Sequence, residues 1–138
     1  MIERFHAAVS VAVLRRGRLL LLRRGPGERS YVGFWEMPGG AVEVGESLAA
    51  AARREVREEA CLRVAVGAPF HVAEWTSRRG RFLHVFLPGR GAGRPSAADG
   101  MDGVRWVLPA ELRRLTMTRN ERAGARAAFA RNGQWRSP

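Results

Sequence analysis

Lysine is absent from this 138-residue chain, in which all 24 basic residues are arginine. A Walker-type phosphate loop needs a lysine, as does a Schiff-base mechanism, so both are excluded. Cysteine occurs once, at Cys61. No internal disulfide can form, which fits a reducing cytoplasm. Long apolar runs are missing as well. Nothing approaches the roughly 18 residues that a membrane span requires. The short apolar segment 7–14 is broken by Arg15, Arg16 and Arg18, with no small-residue cleavage site. We therefore expect a soluble, unexported, cytoplasmic protein with no membrane partner.

What is present is apolar material for one core, 46% of the chain, in a length that suits one domain of about 100–150 residues. We assign residues 1–133 to that domain and 134–138 to a short C-terminal tail. Besides the tail, only the Gly/Ala/Ser/Pro stretch 89–100 has a composition that does not promise order. The net charge is +11. A compositional bias of the source genome explains an arginine excess. So does attraction to phosphate-rich ligands, because arginine grips phosphate oxygens in a bidentate fork. The two explanations are compatible.

Residues 6–14, rich in Val and Ala, predict a mostly buried strand. A turn over 15–18 and a second strand over 19–22 make a hairpin. Residues 34–37 read as short and extended, ended by Pro38-Gly39-Gly40. The clearest helix spans 47–60, with four consecutive alanines, no internal Gly or Pro, and Ser47 as N-cap. Leu48, Ala52 and Val56 lie four apart and predict the face that packs on a sheet. Residues 62–66, 70–75, 82–87 and 104–107 read as strands, and 109–115 and 120–130 as closing helices. This order predicts an α/β fold, an α/β/α sandwich around a mixed β-sheet.

One constellation carries chemistry. Gly40 is followed by Glu46, then Arg54, Glu55, Val56, Glu58 and Glu59, with Leu62 three residues on. On a helix of 3.6 residues per turn, Glu55, Glu58 and Glu59 share one edge. Like charges so placed repel unless a cation stands among them. Converging carboxylates are hard oxygen ligands suited to Mg²⁺ or Mn²⁺. With the apolar stripe on the opposite side, we expect these carboxylates to face solvent or ligand. Residues 40–62 hold five Glu and three Arg, a net of −2, while the rest of the chain holds 21 Arg and eight acids, a net of +13. An acidic cluster thus stands in a basic protein.

This spacing resembles the Nudix box, at every fixed position but one: Cys61 replaces the usual Gly. The segment Trp35-Glu36-Met37-Pro38-Gly39-Gly40 is similar to the lead-in of the MutT-like branch, as is Arg23-Arg24 after a strand. The resemblance implies a Nudix-type α/β/α sandwich and a metal-dependent hydrolase. It implies that Glu55, Glu58 and Glu59 bind Mg²⁺ or Mn²⁺, with one of them serving as general base and the Gly39 carbonyl joining the metal shell. It implies that Arg54 and Glu46 pair to brace the loop against the helix. Asp99 and Asp102 stand near where relatives carry a further metal carboxylate, and we take Asp102 as the metal ligand of the two. Arg24, Glu36 and Asn120 fall at substrate-binding positions of the branch. Arg24 also fits a plain strand-end arginine, and Asn120 a helix-capping one. His6, His71 and His84 read as core or surface residues, not ligands. Cys61 puts a Cβ where the helix should end left-handed, at a cost of roughly 1–2 kcal/mol.

The reaction so implied is hydrolysis of a nucleoside diphosphate linked to another group. We favour a (d)NTP pyrophosphohydrolase that releases NMP and pyrophosphate, of a kind that cleans the nucleotide pool. ADP-ribose, a dinucleoside polyphosphate or an RNA 5′ end are the alternative substrates. A third expectation is a nucleotide- or RNA-binding protein on the same scaffold. Arg78, Arg79 and Gly80 show neither the proline associated with ADP-ribose nor the tyrosine associated with dinucleoside polyphosphates. The chain would act as a monomer or a homodimer.

Overall fold

The computed structural model describes residues 1–131, so the predicted tail 134–138 lies outside the described residues. Val, Leu and Ala dominate β1 (His6–Arg15) and β2 (Arg18–Arg24), which form an antiparallel hairpin. Their two-residue turn has positive φ at both Arg16 and Gly17, the twist that matches right-handed strands. Two short strands follow, β3 (Trp35–Glu36) and β4 (Gly39–Ala41), and then helix α1 (Leu48–Ala60). Next come β5 (Ala65–Val66), β6 (His71–Ser77), β7 (Gly80–Arg90) and β8 (Met101–Val107). A 3-10 helix over Pro109–Arg114 leads into α2 (Arg119–Ala130).

The strands make one mixed sheet. Its spine runs β3, β2, β1, β7, β5, with β4 paired to β1, β6 to β7 and β8 to β2. The β1–β7 pair is parallel, and the other pairs are antiparallel. Side chains alternate across the two faces of a strand, and β1 and β2 sort accordingly. Val9, Val11, Val13, Leu20 and Leu22 pack with Ala51, Ala52, Val56 and Ala60 of α1. Ala12, Leu19 and Leu21 pack with Phe86, Leu112, Ala125 and Ala128 on the α2 side. The fold is therefore the expected α/β/α sandwich, with one helix on each face of the sheet.

Several details differ from expectation. Pro38-Gly39-Gly40 does not end extended structure: Gly39 and Gly40 belong to β4, which pairs with residues 8–10 of β1. Only Ala65 and Val66 of the predicted strand 62–66 join the sheet. The stretch 89–100 is ordered. It begins inside β7, and its loop is held to α1 by backbone bonds from Ser96 to Ala60 and from Ala98 to Glu59. The Arg15 guanidinium also donates to the Gly91 and Gly93 carbonyls and lies over Trp106. Among the described residues, no helix is long and apolar enough to cross a membrane.

Helix α1 starts at Ser47, whose hydroxyl accepts from the Ala50 amide. It ends at Cys61, left-handed at φ 58 and ψ 32, where a Cβ is disfavoured and glycine is not. Cys61→Gly should therefore raise stability by about 1 kcal/mol. Thermal unfolding checks this, and a lower midpoint for the variant would contradict it.

Candidate active site

Arg54 of α1, its side chain only 16% exposed, donates hydrogen bonds to four residues. Its Nε and Nη2 donate to the two oxygens of Glu46 at 2.7 and 2.9 Å. Nη2 also reaches the Ala41 carbonyl at 2.9 Å, and Nη1 donates to Glu55 at 2.8 Å and Glu58 at 3.2 Å. The Glu46 carboxylate additionally accepts from the Glu43 amide. Arg54's hydrogen bonds hold Glu46 down at about 2, well below the usual carboxylate range. The guanidinium is itself stabilised further in its charged form. One arginine thus ties the loop that follows β4 to the helix.

Two of the three carboxylates of α1, those of Glu55 and Glu59, do not stand opposite its buried face. Glu55 and Glu59 are 9% and 7% exposed, beside Ala51, Ala52, Val56 and Ala60. The reason is angular: 51, 55 and 59 form an i, i+4 row adjacent to 52, 56 and 60, and the covering layer reaches both rows. Glu58 is on the exposed side. Both buried acids abut β4. The Gly39 amide donates to Glu59 at 2.9 Å, and a Cβ on Gly40 would lie 2.5 Å from Oε1 of Glu55.

Burial is the main reason both acids resist ionisation. Glu59 is pushed up to about 9, first by burial and then by the charges of Glu55, Glu36 and Asp99. Glu55 is raised by burial and by Glu58 and Asp99, against the pull of Arg54. A divalent cation would relieve both causes, and the donors are hard oxygens of the kind Mg²⁺ or Mn²⁺ prefers. Glu55, Glu58 and Glu59 therefore fit such an ion. Among the described residues no three acids already stand close enough to ligate one. Arg54 engages one oxygen each of Glu55 and Glu58, leaving the other oxygen of each carboxylate for an ion.

A cleft of about 510 Å³ runs from Gly39 and Gly40 to the start of α2 and the wall formed by Glu74, Trp75 and Thr76. Arg24, Glu36 and Asn120 all line it. Arg24 is no plain surface arginine: it donates to Glu36 at 3.0 Å, Glu28 at 3.2 Å and the Ser30 carbonyl. Burial raises Glu36, and the neighbouring Arg24 opposes that rise. Asn120 does not cap the helix. Thr118 does, accepting from the Glu121 amide, while Asn120 Nδ2 donates to the Glu74 carbonyl at 3.2 Å. Asp102 lies apart from the α1 carboxylates, because as part of β8 it faces Arg23 of the paired β2, at 2.8 Å. Asp99, in the loop held to α1, is the acid whose charge acts on both Glu55 and Glu59.

Sequence reasoning missed a buried network in this cleft. Ser10 Oγ donates to Glu121 Oε1 at 2.6 Å and meets His84 Nε2 at 2.7 Å. Glu121 Oε2 accepts from the Met37 amide at 3.2 Å. His84, partly buried and lining the cleft, is lowered to about 4 by burial and the neighbouring His71. The available signals were a serine and a histidine set singly in apolar strands, at positions facing α2. Glu121 is 4% exposed, and burial pushes it up to about 8. Folding then retains a proton that the unfolded chain has released. Glu121 contributes stability below the ordinary carboxylate range that is lost as pH rises toward 8, by up to about 1.4 kcal/mol per pH unit. Between about pH 5.5 and 7.5 the melting temperature of the wild type should fall more than that of Glu121→Gln. Parallel profiles would refute this.

The NUDIX domain profile matches residues 4–129. The chain is 36% identical over 107 residues to the "Putative 8-oxo-dGTP diphosphatase" of Bacillus subtilis (strain 168), covering 74% of this chain and 66% of that one. It is 35% identical over 77 residues to the CTP pyrophosphohydrolase of Escherichia coli (strain K12), covering 56% of each. The chain thus spans between about half and two thirds of the length of these relatives. The crystal structure of a MutT protein from Methanosarcina mazei Go1 superposes with a TM-score of 0.82 at 22% identity, covering 97% of this chain and 99% of that one. That likeness bears on the fold alone. The chain is also 33% identical over 106 residues to a MutT-like protein of Streptomyces ambofaciens, covering 77% of this chain and 65% of that one. With the box on α1, the matching domain profile and these relatives in agreement, the chain belongs to the Nudix family, as a MutT-like member.

Proposed function

We propose that this chain is a metal-dependent pyrophosphohydrolase that converts a nucleoside triphosphate to its monophosphate and pyrophosphate. The observation that carries the reading is the meeting of two features at Gly39 and Gly40. On one side are Glu55 and Glu59, buried acids short of positive charge. On the other is a cleft large enough for a nucleoside, with Asn120 at its far end. The relatives named as an 8-oxo-dGTP diphosphatase and a CTP pyrophosphohydrolase support it.

Glu55, Glu58 and Glu59, with the Gly39 carbonyl and Asp99 nearby, would hold Mg²⁺ or Mn²⁺. A bound ion would supply charge neutralisation on the diphosphate and acidify the attacking water. One of the α1 glutamates takes the proton of the water that attacks phosphorus. The P–O bond to the leaving group breaks as the new one forms. Arg54 keeps α1 and the Glu46 loop in register throughout. The arginine-rich surface draws the polyanion in. Asn120 faces the base with the part of its amide that Glu74 does not occupy.

A second reading rests on the basic β6–β7 turn. Arg78 and Arg79 are exposed there, beside the Glu74 to Thr76 wall of the cleft. This arrangement suits a longer polyanion such as a 5′-triphosphorylated RNA.

The test is a panel of canonical and oxidised dNTPs, CTP, ADP-ribose, dinucleoside polyphosphates and triphosphorylated RNA, incubated with Mg²⁺ or Mn²⁺. We expect pyrophosphate release from nucleoside triphosphates, abolished by chelation and reduced roughly 10²-fold or more in Glu58→Gln. Release from RNA alone would favour the second reading. No turnover of any substrate by folded protein would overturn both. Gly40→Ala should cost about 10²-fold in rate, because its Cβ displaces the Glu55 carboxylate. Full activity in this variant would contradict the placement of Glu55.

A further inference from the structure

Glu121 sits where stability alone gives no reason for a carboxylic acid. It is 4% exposed, at the start of α2, and burying an acid is costly unless its hydrogen bonds are met. Those bonds define its place. Oε2 accepts from the Met37 amide, and Oε1 accepts from Ser10 of β1, which in turn meets His84 of β7. His84 packs flat on Phe86 at 4.2 Å between ring centroids. One side chain therefore links α2, the two central strands and the connection between β3 and β4.

The two things it links are the two walls of the cleft. Thr118, Arg119 and Asn120 immediately precede Glu121 and line one wall, and Glu121, Ser10 and His84 reach the cleft between the walls. Met37 and Gly39 line the other, and the Gly39 amide holds Glu59 of α1 at 2.9 Å. An unbroken series of contacts thus runs from the start of α2 through Glu121 and Met37 to Gly39 and Glu59. A neighbouring close fit keeps α2 pressed to the sheet: a Cβ on Gly124 would come within 2.2 Å of the Phe86 ring. The helix is seated by Gly124, and its first turn is registered by Glu121.

We propose that Glu121 is a positioning residue that fixes the Asn120 wall of the cleft against residues 37–39 and so sets how well the nucleoside binds. This rests on the function proposed above. Ground-state binding should suffer more than the chemical step when Glu121 is lost, because the α1 carboxylates remain braced by Arg54. Gln can accept from Met37 with its carbonyl oxygen and donate to Ser10 with its amide, so it should restore the link that Ala cannot.

The experiment has two arms on wild type, Glu121→Gln, Glu121→Ala and Ser10→Ala. The first is amide hydrogen exchange without ligand. In Glu121→Ala the Met37 amide should exchange at least about tenfold faster while α1 keeps its protection, with Glu121→Gln close to wild type. The second is steady-state kinetics on the best triphosphate of the panel. Glu121→Ala should raise KM roughly tenfold with kcat within about threefold, and Glu121→Gln should recover most of the KM. Unchanged Met37 exchange, exchange raised equally through the whole protein, or a kcat loss with KM intact would each overturn the proposal. If Glu121→Ala does not fold, Ser10→Ala decides, since it removes one of the two anchors. It should raise KM several-fold with kcat kept, and an unchanged KM overturns the proposal. If the wild type turns over nothing, the proposed function fails, and the exchange arm still decides whether Glu121 registers Met37.

Discussion

The site depends on one close approach. Strand β4 lies so near its neighbours that Gly39 can have no side chain, and Gly40 could carry one only by displacing the Glu55 carboxylate. A Cβ at Gly39 would come 2.1 Å from the Val9 carbonyl, and one at Gly40 would strike the Glu55 carboxylate. This proximity lets the backbone of β4 do work that side chains do elsewhere. It pairs with β1, donates to Glu59 and forms one edge of the cleft. Proximity also explains why the acids of α1 can be buried. Glu59 exchanges water for a backbone amide, and Glu55 exchanges it for Arg54. Neither exchange is complete, and both groups are left reluctant to ionise.

What could be read from the sequence follows from how local each feature is. The α1 carboxylates were legible because a helix converts fixed spacing into fixed angle and Ser47 marks its start in the chain itself, while its left-handed end at Cys61 followed only from the resemblance. The Arg16-Gly17 turn was legible for the same reason. The burial of Glu55 and Glu59 was not, because a stripe of Leu48, Ala52 and Val56 shows where a helix must pack but not how far the covering layer extends. Strand β4 was hidden, since Pro-Gly-Gly reads as a breaker until β1 is laid beside it. The sequence favoured Asp102 over Asp99, because it does not show the bonds from Ser96 and Ala98 to α1 that bring Asp99 toward Glu55 and Glu59. The network of Ser10, His84 and Glu121 spans separations of 74 and 111 residues. No periodicity in the chain reports a bond of that kind.

The sheet carries buried acids on both faces, and the two faces treat them differently. On the α1 face several carboxyls crowd together, and one arginine serves Glu46, Glu55 and Glu58 at once. That arrangement is electrostatically incomplete and suited to taking up a cation. On the α2 face Glu121 is met by neutral partners, a serine hydroxyl and a backbone amide, beside a histidine kept neutral by burial. Among the described residues no buried side-chain nitrogen or oxygen is left without a partner, so this second site is complete as it stands. A complete network resists rearrangement, because each member loses a bond if any one moves. An incomplete one invites it.

The difference gives each face its own task. Residues 37–40 form the seam, touching Glu121 at Met37 and the α1 acids at Gly39 and Gly40. If the α1 side shifts as it takes up an ion, the seam must stay still while it does so. Otherwise the cleft would change shape with every binding event. A rigid, neutral anchor on the far face meets that requirement, and an ion pair there would not meet it as well, because its strength would vary with the charge gathered across the sheet. Burying a carboxyl at Glu121 is intelligible on those terms: its cost is set against a seam that holds its place while charge is exchanged next to it.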